Sequence, residues 1–361
     1  MFCATLNLTD DWTLASLSQE RANVQLALYA THLATGSTLH CRSIKAATIN
    51  CYLTDVAKFL GRFREVDPRF TSSADSKLAP IIGKVLQEQR RWETVPNRRE
   101  PFTMDLQLII AAKAAISKDT CSFDAAIADW TLCNMYAGCR GVEWAQTSTT
   151  QAPLHSHLLN RSDRAYAFTL ADVQCLSASH ARITIAQAVL APSLVHHIKL
   201  RFDEQKNNDN GEWKLFVRNE TNTQLCFVTS FLRIIQRFVT LVGPSETLPL
   251  SVYRSAPAGS PKSTVLNITT ALVETAIRAA AAQAYHLNPI KDRQQLQLWS
   301  AHSLRVGACA TLYAKGFSEM EIKFLLRWKS NAFMTYLRNL AVTSRRHNDA
   351  LNDVSKIPNF V

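Results

Sequence analysis

Apolar positions recur at helical spacing through the first part of the chain. Residues 12–34 and 43–63 both read as amphipathic helices. In the second, Ile44, Ala47, Ile49, Tyr52, Leu53 and Val56 fall near a 3.6-residue period, and Ser43 stands where an N-cap belongs. A third helix is predicted over about 78–93, with Ile81, Ile82, Val85 and Leu86 on its apolar side. Asp67-Pro68 and Thr71-Ser72-Ser73 separate it from the second. Further helices are predicted near 103–117 and 122–146. The period then changes. His180–Ala188 and His197–Phe202 alternate apolar and polar residues, as half-buried strands do, and Trp213–Val217 makes another strand after the Asn210-Gly211 turn signal. Helical spacing returns from Cys226 through Phe231, Leu232, Ile234, Ile235 and Phe238. Residues 243–263, rich in Pro, Ser and Gly, read as loop, and the Ala-rich segment 265–287 as helix. A helix over 302–315 stops at Gly316, Ser318 and Glu321 form a capping-box sequence for the next, and a last helix holds Tyr336 before a polar tail.

The pattern predicts a mainly α protein with a small antiparallel β-sheet, in two domains. Arg90-Arg91-Trp92 followed by Pro96-Asn97-Arg98-Arg99-Glu100-Pro101 reads as a basic, extended linker, which puts the boundary at about residue 100. The expected domains are 1–100, helical, and 101–361, α+β; 361 residues suffice for two cores. Residues 145–165 read as an insertion or extended loop.

Charge changes this picture by pointing to a partner. The net charge of +11 favours a polyanion, with nucleic acid the first candidate. Arg90, Arg91, Arg98 and Arg99 are then candidates to lie along a phosphate backbone, although a basic linker is more often a solvated surface. The nine cysteines form no C-x-x-C pair, which argues against a zinc ribbon and for buried thiols in a reducing compartment. No secretory signal is expected, with Asp10 and Asp11 near the start, and the longest apolar stretches are too short to span a bilayer. His155 with His157, and His196 with His197, lack the carboxylates or thiols of a metal cage, and no phosphate-cradling glycine loop points to ATP.

The chemistry concentrates near the C-terminus. His302 and Arg305, three residues apart, share one helix face, and Tyr336 follows Trp328 by eight residues. Histidine and arginine donors beside a tyrosine hydroxyl suit attack on a phosphate. The block His302-Ser303-Leu304-Arg305, then Trp328, then Tyr336, resembles the tyrosine recombinases, the class of lambda integrase and Cre. Its Trp-Lys-Ser-x-x-Phe-x-x-Tyr-x-Arg-Asn form is similar to eukaryotic mobile-element recombinases of the Crypton and DIRS kind. Arg140-Gly141-Val142-Glu143 matches the family's earlier Arg-x-x-Glu setting. Lys206, before the Asn210-Gly211 turn, fits its hairpin lysine, with Lys199 and Lys214 as rivals.

The resemblance implies a helical core-binding domain and a catalytic domain forming a clamp on double-stranded DNA. It implies that Arg140 and Arg305 hold the phosphate and that Glu143 buttresses the site. His302 and Trp328 would donate N–H groups, Lys206 would protonate the leaving 5′ hydroxyl, and Tyr336 would form a 3′-phosphotyrosine. It further implies a homotetramer on two paired sites, strand exchange through a Holliday junction, a tail docked on a neighbour, and no cofactor, metal, ATP or membrane. The expected compartment is the nucleus in a eukaryote and the cytoplasm otherwise. Type IB topoisomerase-like relaxation, or an inactive DNA-binding protein derived from a mobile element, stands as the alternative.

Overall fold

The computed structural model describes residues 13–36, 44–72, 77–93, 98–147, 152–160, 163–203 and 211–337. The chain divides into two compact units, Met1–Pro96 and Asn97–Val361, with the break inside the Pro-Arg linker.

Among the described residues the first unit holds three helices, α1 (Gln19–Ala34), α2 (Ala46–Leu60) and α3 (Pro80–Trp92). Each buries one stripe, with Leu26, Ala30, Ile49, Leu53, Ile82 and Leu86 in the shared core. Ser18 caps α1 by accepting from the Arg21 N–H, and Pro80 opens α3 where a missing N–H costs nothing. The N-cap expected at Ser43 lies outside the described residues. Lys45 occupies the position before α2 without a side-chain cap, and the Glu93 carboxylate accepts the Ala46 N–H instead.

The second unit packs α4 (Met104–Ser117), α5 (Phe123–Ala137), α7 (Phe227–Leu241) and α8 (Thr270–Ala284) around one core, where Trp130 stacks on Trp144 and meets Phe231 edge-on. Strands β1 (Ala152–Pro153), β6 (Val252–Arg254) and β7 (Val265–Asn267) form one antiparallel sheet in the order β1-β7-β6. Strands β2 (Val173–Leu176), β3 (Arg182–Ile183), β4 (His197–Phe202) and β5 (Glu212–Val217) form the other, in the order β3-β2-β4-β5. The chain is thus mainly α with small antiparallel sheets. No described helix is long and apolar enough to cross a membrane.

Several elements differ from the pattern-based expectation. The strand expected at 180–188 is only β3, after which Thr184 caps a short helix α6 (Ile185–Leu190); Val173–Leu176 supplies the neighbour of β4 instead. The 243–263 loop contains β6, and the helix expected from 265 begins at Thr270 because 265–267 pair with β6. The insertion is held where it departs from loop: β1 pairs with β7, and Asn267 donates to the Pro153 and Leu154 carbonyls. Trp144 and Trp299 are buried in the core, whereas Trp213 is partly exposed, with the Arg201 guanidinium 5.7 Å from its ring centroid.

The largest shift concerns α5, which ends at Ala137 rather than running to 146. Gly138 terminates it in the left-handed region, φ +57°, and a Cβ there would fall 2.8 Å from Leu326 Cδ2.

Three further helices follow among the described residues: α10 (His302–Ala314), α11 (Glu319–Leu326) and α12 (Met334–Leu337), after the short α9 (Arg293–Leu296). Ala308, Cys309, Ile322, Leu326, Phe333 and Leu337 form their own apolar cluster. Ser318 and Glu321 make both capping-box bonds. Residues 98–103 lie along the start of α10, with Phe102 N–H donating to Ser303 O at 2.9 Å, and Gly307 leaves just enough room for the Phe102 backbone.

Candidate active site

Because α5 stops at Gly138, Arg140 and Glu143 stand not on a helix face but at a single 3-10 turn, Gly141–Glu143. This corrects the helical setting expected for the Arg-x-x-Glu pair. Glu143 accepts the Arg140 N–H at 2.9 Å and its Nη1 at 3.1 Å. The carboxylate is buried, and its two remaining acceptor directions are taken by Arg327, Nη2 at 3.0 Å and Nη1 at 3.4 Å.

Arg305 sits one turn into α10 and is buried. Its Nη1 donates to Gly138 O, and Nη2 donates to Leu326 O at 2.9 Å and Arg327 O at 3.3 Å. One guanidinium therefore ties the end of α5 to the end of α11, filling carbonyls that no helical N–H reaches. Burial, with the Arg327 and Arg140 charges and against the pull of Glu143, lowers its pKa to about 10. Arg305 remains charged at neutral pH.

Trp328 lies beneath it, with Arg305 Cζ 4.2 Å from the ring centroid. The indole N–H is buried and faces Cys309. The ring face of Trp328, rather than its N–H, is turned to Arg305.

Ser330 caps the turn that leads into α12, and α12 carries Tyr336 back over α10. His302 Nε2 and Tyr336 Oη are 2.9 Å apart, and the two rings meet edge-on. With Nε2 unprotonated, the phenol donates to it. Burial, then the Arg305 and Arg99 charges, pushes the His302 pKa below its usual value. Burial and Cys309 raise that of Tyr336, against Arg305, so the phenol keeps its proton until a base removes it.

Of the linker arginines, Arg98 Nη1 donates to Thr335 O at 3.2 Å, next to Tyr336, and Arg99 donates to Gln297 O. Both remain exposed. Arg90 and Arg91 are exposed at the end of α3 in the first unit, where Arg91 pairs with Glu88.

Lys206 lies outside the described residues. Strand register separates its two rivals. Leu200 pairs with Lys214 and Phe202 with Glu212, so Lys214 shares the inner face of the sheet with Leu200 and Phe202, whereas Lys199 occupies the other face. Phe202 carries the Arg327 guanidinium, Cζ 3.4 Å from its centroid. Burial, then the Arg327 charge, with Arg305 adding to it and Glu212 and Cys139 opposing, lowers the Lys214 pKa to about 8.

The described site thus joins Arg140, Glu143, Lys214, His302, Arg305, Trp328 and Tyr336 from four stretches of chain. It adds Arg327, which the sequence did not single out. Arg327 is the left-handed C-cap of α11, φ +55°, a position that favours glycine, and nothing local marks an arginine for it.

No protein-family model matches the chain, and no curated protein matches it. Among solved structures the chain is similar to the Tn1549 transposon integrase. Against that integrase in complex with circular intermediate DNA the TM-score is 0.41 at 13% identity, covering 91% of this chain and 84% of the other. Against a tyrosine-to-phenylalanine variant with transposon right end DNA it is 0.43 at 13% identity, covering 93% and 86%.

Proposed function

We propose that this protein is a DNA strand transferase of the tyrosine-recombinase kind, cleaving and rejoining DNA through a covalent phosphotyrosine. The observation that carries the reading is the 2.9 Å approach of Tyr336 Oη to His302 Nε2 one helical turn from Arg305. The net charge of +11 and the exposed Arg98 and Arg99 beside the tyrosine suit a duplex as substrate.

In this reading Tyr336 Oη attacks phosphorus and gives its proton to His302. Arg140 and Arg305 stabilise charge on the non-bridging oxygens. The P–O5′ bond breaks, and a lysine of the β4–β5 hairpin protonates the departing 5′ oxygen. Lys206 is the choice by position before the turn; Lys214 is favoured by its placement on the inner face and its lowered pKa. Reversal by a 5′ hydroxyl from another duplex regenerates Tyr336 and exchanges strands, and two such exchanges on paired sites proceed through a Holliday junction on four protomers. Nothing in this sequence of steps calls for ATP or a metal.

The test uses a pool of nicked duplexes of randomised sequence, in which the short strand beyond the nick diffuses away after cleavage. The wild-type protein is expected to form an adduct that survives denaturing electrophoresis, and Tyr336→Phe to bind the same duplexes without forming it. An adduct persisting in Tyr336→Phe would overturn the assignment. Binding without any wild-type adduct would favour a DNA-binding protein without catalysis.

A further inference from the structure

We propose that Arg327 is a positioning residue of the anion site, holding Glu143 away from Arg305 and setting the charge environment of Lys214. What the anion is rests on the strand-transfer reading; the placement of Arg327 does not.

Glu143 is the buried carboxylate among Arg140, Arg305 and Arg327, and an ionised carboxylate has about four acceptor directions. Arg140 fills two and Arg327 fills two. Arg305 bonds backbone carbonyls instead. Arg327 can take its two directions only because α11 ends with it in the left-handed conformation, and because Phe202 offers a ring face on which its guanidinium lies. Without that fork Glu143 would be left half-satisfied in a buried place, and Arg305, on which its charge already acts, would draw it. The carboxylate would then neutralise the group that has to meet the incoming anion.

The same guanidinium lies over Phe202, on the sheet face that Lys214 occupies. The groups acting on Lys214 are Arg327 at the end of α11, Arg305 on α10, Cys139 in the turn after α5 and Glu212 on its own strand. After burial, Arg327 acts on Lys214 most strongly of these groups. Its removal leaves Lys214 a stronger base and a poorer acid near neutral pH.

Arg327→Gly is the direct test, because glycine accepts the left-handed backbone without strain. Two readouts apply. The first needs no DNA: the Lys214 13Cε resonance, assigned by its loss in Lys214→Arg, is followed against pH. Its midpoint, near 8 in the wild type, is expected to rise measurably in Arg327→Gly. The second is adduct formation on the nicked duplex pool. Its rate is expected to fall about 10- to 100-fold with binding changed less than about threefold, and its alkaline limb to move to higher pH. Arg327→Lys serves if the glycine variant fails to fold. It keeps the charge without the planar fork, so the Lys214 midpoint is expected to hold while the adduct rate falls.

Folded Arg327→Gly with an unmoved Lys214 midpoint and an unchanged adduct rate would overturn the role of Arg327 and leave the strand-transfer reading intact. A wild-type protein that forms no adduct, with the Lys214 midpoint moving as stated, would overturn strand transfer and leave Arg327 as the residue that positions this site.

Discussion

His302 and Tyr336 are 34 positions apart in sequence, yet Nε2 of one lies 2.9 Å from the phenol oxygen of the other. The contact sets a pH dependence. Burial and the neighbouring arginines lower the His302 pKa, so the imidazole is neutral through the physiological range and free to accept the tyrosine proton. On the acid side, adduct formation is expected to fall only below the ordinary imidazole range, as His302 takes a proton of its own. Stability follows the same direction. A folded-state pKa below the unfolded value means that protonation costs folding energy, so stability is full above about pH 6.5 and declines as pH falls through the folded value. His302→Asn should flatten both profiles, read by adduct rate and by thermal midpoint across that range.

Trp328 supports Arg305 with its ring face rather than with its N–H. Trp328→Phe, which keeps a face and loses the N–H, is therefore expected to retain most adduct formation. Trp328→Ala removes the platform, and should lower the rate about 10- to 100-fold and cost about 2–3 kcal/mol of stability. Urea denaturation beside the adduct assay separates the two effects. Equal loss in the Phe and Ala variants would mean that the N–H matters after all.

A lysine on each part of the β4–β5 hairpin competes for the role of proton donor. A duplex in which sulfur replaces the bridging 5′ oxygen releases a thiolate and needs no donor. Whichever of Lys214→Met and Lys206→Met is rescued by that duplex identifies the acid. Rescue of Lys214→Met is the outcome expected from its placement beside Arg327 and Arg305. In the wild type the rate on the ordinary duplex should fall as pH rises through about 8, because a deprotonated lysine cannot donate.

Gly307 packs against the segment that carries Arg98 and Arg99. An added Cβ would fall 2.0 Å from the Phe102 carbonyl oxygen and 2.9 Å from its nitrogen, and a backbone neighbour has little room to yield. Gly307→Ala is expected to destabilise by about 3 kcal/mol or more in urea denaturation. Gly83, within α3, has nothing within 4 Å of its ideal Cβ. Gly83→Ala should stabilise by about 0.5–1 kcal/mol, a control for the helix-propensity contribution alone.

The elements legible in the sequence are those whose signals are local. The capping box of Ser318 and Glu321, the stop of α10 near Gly316, and the alternation of His197–Phe202 depend on neighbours within a few residues, and each appears where the pattern puts it. The end of α5 does not share that property. Gly138 is a weak local signal, and its force comes from Leu326, packed against it from nearly two hundred residues away. Strand β6 likewise exists because β7 pairs with it, and nothing in a Pro- and Ser-rich stretch announces that partner.

The candidate site divides in the same way. The sequence by itself determined the chemistry on offer: a histidine and arginine one turn apart, a tyrosine after a tryptophan, an Arg-x-x-Glu pair and a basic chain. Only the tertiary structure decided which groups meet and in what state. It turned Arg140 off the helix and onto Glu143, laid Trp328 under Arg305, put Lys214 rather than Lys199 on the inner face, and brought in Arg327. The physical reason is that residue type and spacing specify which donors and acceptors exist along the chain. The direction of a buried guanidinium, and the proton affinity of its neighbours, come from charges and carbonyls that distant segments supply.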